Sequence, residues 1–257
     1  MKMWIQSGSN FDKDARVIKY KNSLKEYAEK VARPDTAVSI NGIDMVLDRP
    51  DLYHIAGHIQ SSSLIRNARR AQEEGYDAYI QTCTLDPAAY EIREVLDIPT
   101  VFILECSIHL ACLLAPKFSF LTHNEALLLR ITEKVNEYRL SKRMTTGVFL
   151  NLSHKDFNRM YENPKPYLDT FIAGGRRVIE QGANIIMVSG TMMSLFLMEQ
   201  GVREIDGVPI LDMFATALKF GEFMADLRKV GIVRSKKGLY TAPSKEELGA
   251  YLKYLCT

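Results

Sequence analysis

The stretch YDAYIQTCTLDP, residues 76–87, decides how this chain is read. A short apolar run stops at Thr82-Cys83-Thr84 and gives way to an expected helix opening at Asp86-Pro87. A strand delivering a lone thiol to a helix entrance is a chemical arrangement, because amide N–H groups there favour negative charge and lower a cysteine's pKa. The arrangement occurs twice. Residues 69–83 read RRAQEEGYDAYIQTC and residues 176–190 read RRVIEQGANIIMVSG. Each opens on an Arg pair and places a glycine, Gly75 or Gly182, six residues after the first Arg. Each then runs eight residues to its last position, which is Cys83 in one copy and Gly190 in the other. Ile98-Pro99 and Val208-Pro209 form a later echo, each starting a further apolar run. The repeat implies two related α/β halves facing each other, with a site between equivalent turns.

Working outward, 257 residues allow one large domain or two small ones, and 47% hydrophobic content suffices for a real core. Thirty-three basic against 31 acidic residues give a net charge of +2, so there is no bulk electrostatic case for nucleic acid. No segment approaches the ~20 apolar residues of a membrane span, and the opening MKMWIQSGSN has too short an apolar run for a signal peptide. A soluble, cytoplasmic protein without membrane or nucleic-acid partners is the expectation. The four cysteines, Cys83, Cys106, Cys112 and Cys256, show neither CxxC pairing nor His-rich spacing, so no disulfide framework and no metal site is expected. Cys106 and Cys112 read as packed core thiols.

The expected order begins with a strand at residues 2–6, a polar turn at Ser7-Gly8-Ser9-Asn10 and a helix over 11–31. A strand at 36–40 and an irregular stretch over 41–61, read as a specificity loop, precede a helix over 63–74. Beyond the first repeat, helices are expected over 88–96, 105–114 and 125–138, the last capped by Asn124, with strands at 100–104, 118–121 and 146–152. A helix after Pro164 and Pro166, the second repeat strand at 184–189, a helix from Thr191, a strand at 209–211, a helix to Val230 and a C-terminal tail complete the chain. Such alternation argues for parallel sheets covered on both faces. Ligands of such sheets bind beyond the carboxyl ends of strands, where Ser7, Ser9, Cys83, Thr84, Thr122, His123, His154 and Thr191 fall.

GxGxxG, GxxxxGK[ST], HExxH and GxSxG are all absent, which leaves a carbon-acid or acyl site without a cofactor as the economical enzyme reading. The chain resembles the aspartate/glutamate/hydantoin racemase superfamily over nearly its whole length, and most closely the hydantoin racemase branch. The matching stretches are GYDAYIQTCTLDP, IPTVFILECSIHLACLL with KFSFLTHNE, GANIIMVSGTMMS, and VPILDMFATALKFGEF followed by GIVRSKKGLYTAP. The resemblance implies an α/β fold of two Rossmann-like parallel-sheet halves related by a pseudo-twofold, residues 1–98 with 212–257 and residues 99–211, with the active site in the cleft between them. It implies two cysteines as opposed acid and base at a carbon next to a carbonyl, a small-molecule substrate, a homo-oligomer, and neither metal nor pyridoxal phosphate. By position Cys83 matches the first catalytic cysteine. Thr84 and Thr191 match donors to the substrate's carboxylate or carbonyl. Thr122 opens a Thr-Thr pair whose second member is replaced by His123.

Gly190 stands at the position of the second cysteine, and glycine supplies no proton. Racemization or epimerization at the carbon α to a carboxylate or imide carbonyl, such as that of a hydantoin or amino-acid derivative, with Cys83 as acid/base and His123, Thr191 or water as second donor, is the leading expectation. Gly190→Cys is expected to create two-base racemization. A single-cysteine decarboxylase of arylmalonate-like diacids, a maleate-type cis-trans isomerase and a non-catalytic binder are the alternatives. Beside these stand plainer readings: Cys83 as a buried strand-end thiol, His123 and His154 as structural histidines, His109 as a packed helix residue, and Met187, Met192, Met193 and Met198 as adaptable core.

Overall fold

Short apolar runs bounded by polar turns become strands, and the amphipathic stretches between them become covering helices. The computed structural model describes residues 1–14, 17–47, 51–153 and 155–255, so His154 and Cys256 lie outside the described residues. Two units emerge, Met1–Phe102 with Ala217–Thr257, and Ile103–Thr216. The first unit opens with β1 (Lys2–Gln6), α1 (Ile18–Val31), β2 (Ala37–Asn41), α2 (His54–Glu73), β3 (Ala78–Gln81), α3 (Ala89–Val95) and β4 (Thr100–Phe102). The second runs through α4 (Ile103–Leu114), β5 (Phe118–Thr122), α5 (Glu125–Glu137), β6 (Val148–Phe149), α6 (Asp156–Glu162) and α7 (Pro164–Glu180). It continues with β7 (Ile185–Val188), α8 (Thr191–Glu199), β8 (Glu204–Ile205), β9 (Val208–Leu211) and the start of α9 (Met213–Lys229). The rest of α9 and α10 (Lys245–Leu255) belong to the first unit.

The first sheet has the order β2-β1-β3-β4, and every pairing in it is parallel. The second has the order β6-β5-β7-β9-β8, parallel except for the antiparallel pair of β8 and β9. In each unit the first strand therefore sits between the second and the third. Apart from exposed Lys2 at the start of β1, the central strands are buried along their length, as parallel strands covered on both faces must be. In the first unit Trp4, Leu64, Tyr79, Ile92 and Phe102 pack as one cluster.

Several elements depart from the sequence expectations. The first helix starts at Ile18, because Asn10 Oδ1 accepts from the amides of Asp12 (3.0 Å) and Lys13 (2.6 Å) and shapes residues 11–13 as a turn. α2 begins at His54, so much of the expected specificity loop is helix, and His54 and His58 are exposed on it. Its buried face, Ala56, Gln60, Ser63 and Leu64, is small and half polar, which hides the helical period. α6, α10 and β8 are additional elements. His109 is exposed rather than packed, with its ring edge-on to Tyr138 at 6.4 Å. Cys106 is buried, whereas Cys112 is half-buried. Among the described residues no helix is long and apolar enough to cross a membrane.

Candidate active site

In the first unit the ends of β1 and β3 are built by one device used twice. Trp4 and Tyr79 pair across the strands, and so do Gln6 and Gln81. Trp4 Nε1 donates to Gln6 Oε1 (3.0 Å), and Gln6 Nε2 donates to the Ser7 carbonyl (2.8 Å). On the neighbouring strand the Tyr79 hydroxyl donates to Gln81 Oε1 (3.1 Å), and Gln81 Nε2 donates to the Pro87 carbonyl (2.7 Å). Burial pushes the Tyr79 phenol well above its ordinary pKa, and negative charge on Cys83 acts in the same direction, so Tyr79 stays a neutral donor. Both glutamines are fully buried, and each satisfied amide fixes the turn beyond its strand.

Those turns carry Ser7, Gly8, Cys83 and Thr84. The Gln6–Gln81 register, continued by two residues, sets Gly8 beside Cys83. A Cβ on Gly8 would lie 3.5 Å from Cys83 Sγ and 2.5 Å from Gln60 Nε2, so a side chain there would displace the Gln60 amide. Cys83 is a half-buried thiol outside any disulfide, and its Sγ lies 3.9 Å from Gln60 Oε1. Ser7 is buried and its hydroxyl accepts from the Ser9 amide (3.2 Å); Thr84 is buried as well. The expected helix opening at Asp86-Pro87 gives way to a longer irregular turn. Asp86 N bonds the Cys83 carbonyl (3.0 Å), Asp86 and Ala88 have φ of 46° and 58°, and α3 starts only at Ala89. The thiol thus sits on a strained, side-chain-anchored turn rather than at a helix N-terminus.

The second unit repeats the geometry with the roles of its two strands exchanged. β5 and β7 pair Leu121 with Val188, and two further residues set His123 beside Gly190. A Cβ on Gly190 would lie 3.9 Å from His123 Nδ1 and 3.3 Å from Met193 Cε. Gly190 caps α8 with φ 103°, a conformation that side-chain-bearing residues resist. Its carbonyl accepts from the amides of Met193 (2.9 Å) and Ser194 (3.1 Å), and Thr191, the first residue of α8, is partly exposed. His123 is 5% exposed, its ring edge-on to Phe157 at 5.4 Å. Thr122 is fully buried and its hydroxyl donates to the Asn124 carbonyl (2.8 Å). Asn124 caps α5 by accepting from Leu127 N (2.8 Å), as the sequence predicts.

Sequence reasoning overlooked Gly8 and Gln60. The signal for Gly8 was present, since WIQSGS (residues 4–9) parallels YIQTCT (residues 79–84) with Gly8 opposite Cys83. Gln60 carried no local signal. Among the described residues no group of three or more His, Cys, Asp or Glu side chains is placed to hold a metal ion.

The sequence profile described as Asp/Glu/Hydantoin racemase matches residues 18–221. A hydantoin racemase from Pseudomonas sp. (strain NS671) is 28% identical over 225 residues, covering 87% of each chain. An allantoin racemase from Pseudomonas fluorescens superposes with a TM-score of 0.79 at 17% identity, covering 95% of this chain and 97% of its own. Unliganded arylmalonate decarboxylase gives 0.58 at 15% identity, covering 93% and 97%. With a profile match across most of its length and a repeated α/β architecture to carry it, the chain belongs to the Asp/Glu/hydantoin racemase family.

Proposed function

We propose that the protein is a cofactor-independent racemase acting at the carbon between the ring nitrogen and the carbonyl of a hydantoin-type imide, with Cys83 and His123 as its two acid/base groups. The observation that supports the pairing is the exchanged register: Cys83 stands beside Gly8, and His123 stands beside Gly190 at the equivalent strand ends of the other unit. In each pair the residue beside the functional side chain is a glycine. Racemization needs a base on one face of the α carbon and an acid on the other. Thiol and imidazole both exchange protons near neutral pH when suitably placed. In the resting state the imidazole removes the α-hydrogen and Cys83 delivers a proton to the opposite face; the other enantiomer reverses the assignment. The enolate oxygen that forms between these steps is held by amides and hydroxyls at Thr84 and Thr191. Each such donor contributes about 3 kcal/mol of barrier lowering. Ser7 and Thr122, whose side chains are engaged within their own turns, hold those turns in shape. The hydantoin class is supported by the 28% identity with a hydantoin racemase over 87% of the chain.

The test follows α-hydrogen exchange in deuterated buffer for each pure enantiomer of a 5-substituted hydantoin. Wild type is expected to exchange and invert both. Cys83→Ala is expected to lose inversion but retain exchange of one enantiomer, and His123→Ala to retain exchange of the other. Exchange of both enantiomers by His123→Ala at the wild-type rate removes His123 from the reaction. Cys83-dependent loss of an arylmalonate, with deuterium in the product, replaces racemization by decarboxylation.

A further inference from the structure

Gln60 lies in α2, away from both repeat strands in sequence, and the reaction above makes no use of it. It is 3% exposed, and its amide is pinned between two groups of different chemistry. Nε2 donates to the Gly8 carbonyl (2.9 Å), while Oε1 lies 3.9 Å from Cys83 Sγ. A backbone carbonyl only accepts, so Gly8 fixes which end of the amide is NH2 and which is oxygen. The oxygen must therefore face the sulfur, and there it accepts from S–H and repels a thiolate. Gly8, having no Cβ, lets Nε2 approach this closely, since a Cβ there would lie 2.5 Å from it.

We propose that Gln60 is a positioning residue that holds Cys83 as an oriented thiol, making it the proton donor of the resting enzyme. The inference rests on the racemase reading for its purpose, but not for its test. Of the titratable groups near the thiol, Tyr79 couples to it electrostatically and Asp86 follows in the same turn. The contacts from the β1 turn and from α2, Gly8 and Gln60, are uncharged. Removing the carbonyl oxygen frees the thiolate, and replacing it by a carboxylate suppresses the thiolate further.

The experiment measures the pH profile of Cys83 alkylation by iodoacetamide, read by mass spectrometry on the Cys83 peptide, for wild type, Gln60→Leu and Gln60→Glu. The midpoints are expected in the order Leu, wild type, Glu, with Leu about half to one unit below wild type. At pH 7 that displacement makes the Leu variant react about threefold to tenfold faster. Coincident midpoints, the mark of a purely structural role, overturn the proposal, and so does the reverse order. Should Gln60→Leu fail to fold, the S–H stretching band of the wild type, isolated by difference against Cys83→Ala, decides. A band at neutral pH displaced to lower frequency than that of an unbonded thiol is expected, and its absence overturns the proposal. Neither readout requires turnover, so a failed racemase assay leaves both interpretable.

Discussion

At the scale of single residues, the two glycines opposite the proposed acid/base groups are unlike each other. Gly8 lets the Gln60 amide approach closely, whereas Gly190 is required for its backbone, with φ 103° at the cap of α8. The expectation that Gly190→Cys simply completes a two-cysteine site therefore meets an obstacle absent from the sequence. Any side chain at 190 strains the backbone and crowds Met193 Cε at 3.3 Å. Gly190→Ala is expected to lower the free energy of unfolding by about 1–3 kcal/mol, measured by denaturant titration; an unchanged midpoint would show that the loop relaxes freely. Cys83 and His123 stand out in the sequence as candidates because each follows an apolar run in a repeated or family-matching context. Gln60 does not, because its place beside Cys83 comes with a contact to Gly8, 52 positions away in the chain.

At the scale of elements, α9 lies close against β3, three residues before Cys83. A Cβ on Gly221 would meet Ile80 Cδ1 at 2.5 Å and Cγ1 at 2.9 Å. Gly221→Ala is expected to cost about 1–3 kcal/mol by overpacking. Ile80→Val removes the offending Cδ1, so the two substitutions together are expected to cost less than their sum. Strict additivity in a double-mutant cycle would mean that helix and strand shift apart instead. The strands around these helices were readable from their apolar runs, and the start of α2 was not, for its buried face mixes Gln60 and Ser63 with Ala56 and Leu64. The β8–β9 hairpin did carry a signal. Asp206-Gly207 takes φ of 48° and 79°, the Asp-Gly turn that joins antiparallel strands, and the flanking runs were too short to draw attention to it.

At the scale of the whole molecule, the strand order second-first-third occurs in both units, and the repeat at residues 69–83 and 176–190 was its trace in the sequence. The first unit, which contains both chain ends, is further tied by Glu222. This fully buried carboxylate accepts from Arg33 N (2.7 Å) and from Lys219 Nζ (3.0 Å). Burial pushes its pKa up, but the Arg33 amide and Lys219 outweigh burial and hold it below the ordinary value. A carboxyl lowered on folding contributes stability that is present above its unfolded pKa, about 4.3, and is lost as pH falls through the folded value. The thermal midpoint of wild type is therefore expected to fall more steeply than that of Glu222→Gln as pH is taken from 5 to 3. A constant gap between the two curves would remove Glu222 from the acid transition. The same unit holds the chain's one tryptophan, Trp4, 1% exposed and bonded through Gln6 to the Ser7 carbonyl. Its indole emission consequently reports on one unit alone. Loss of the first sheet shifts the fluorescence to the red, and events confined to the second unit pass without that optical signal, so light and heat can be used to follow the two units separately.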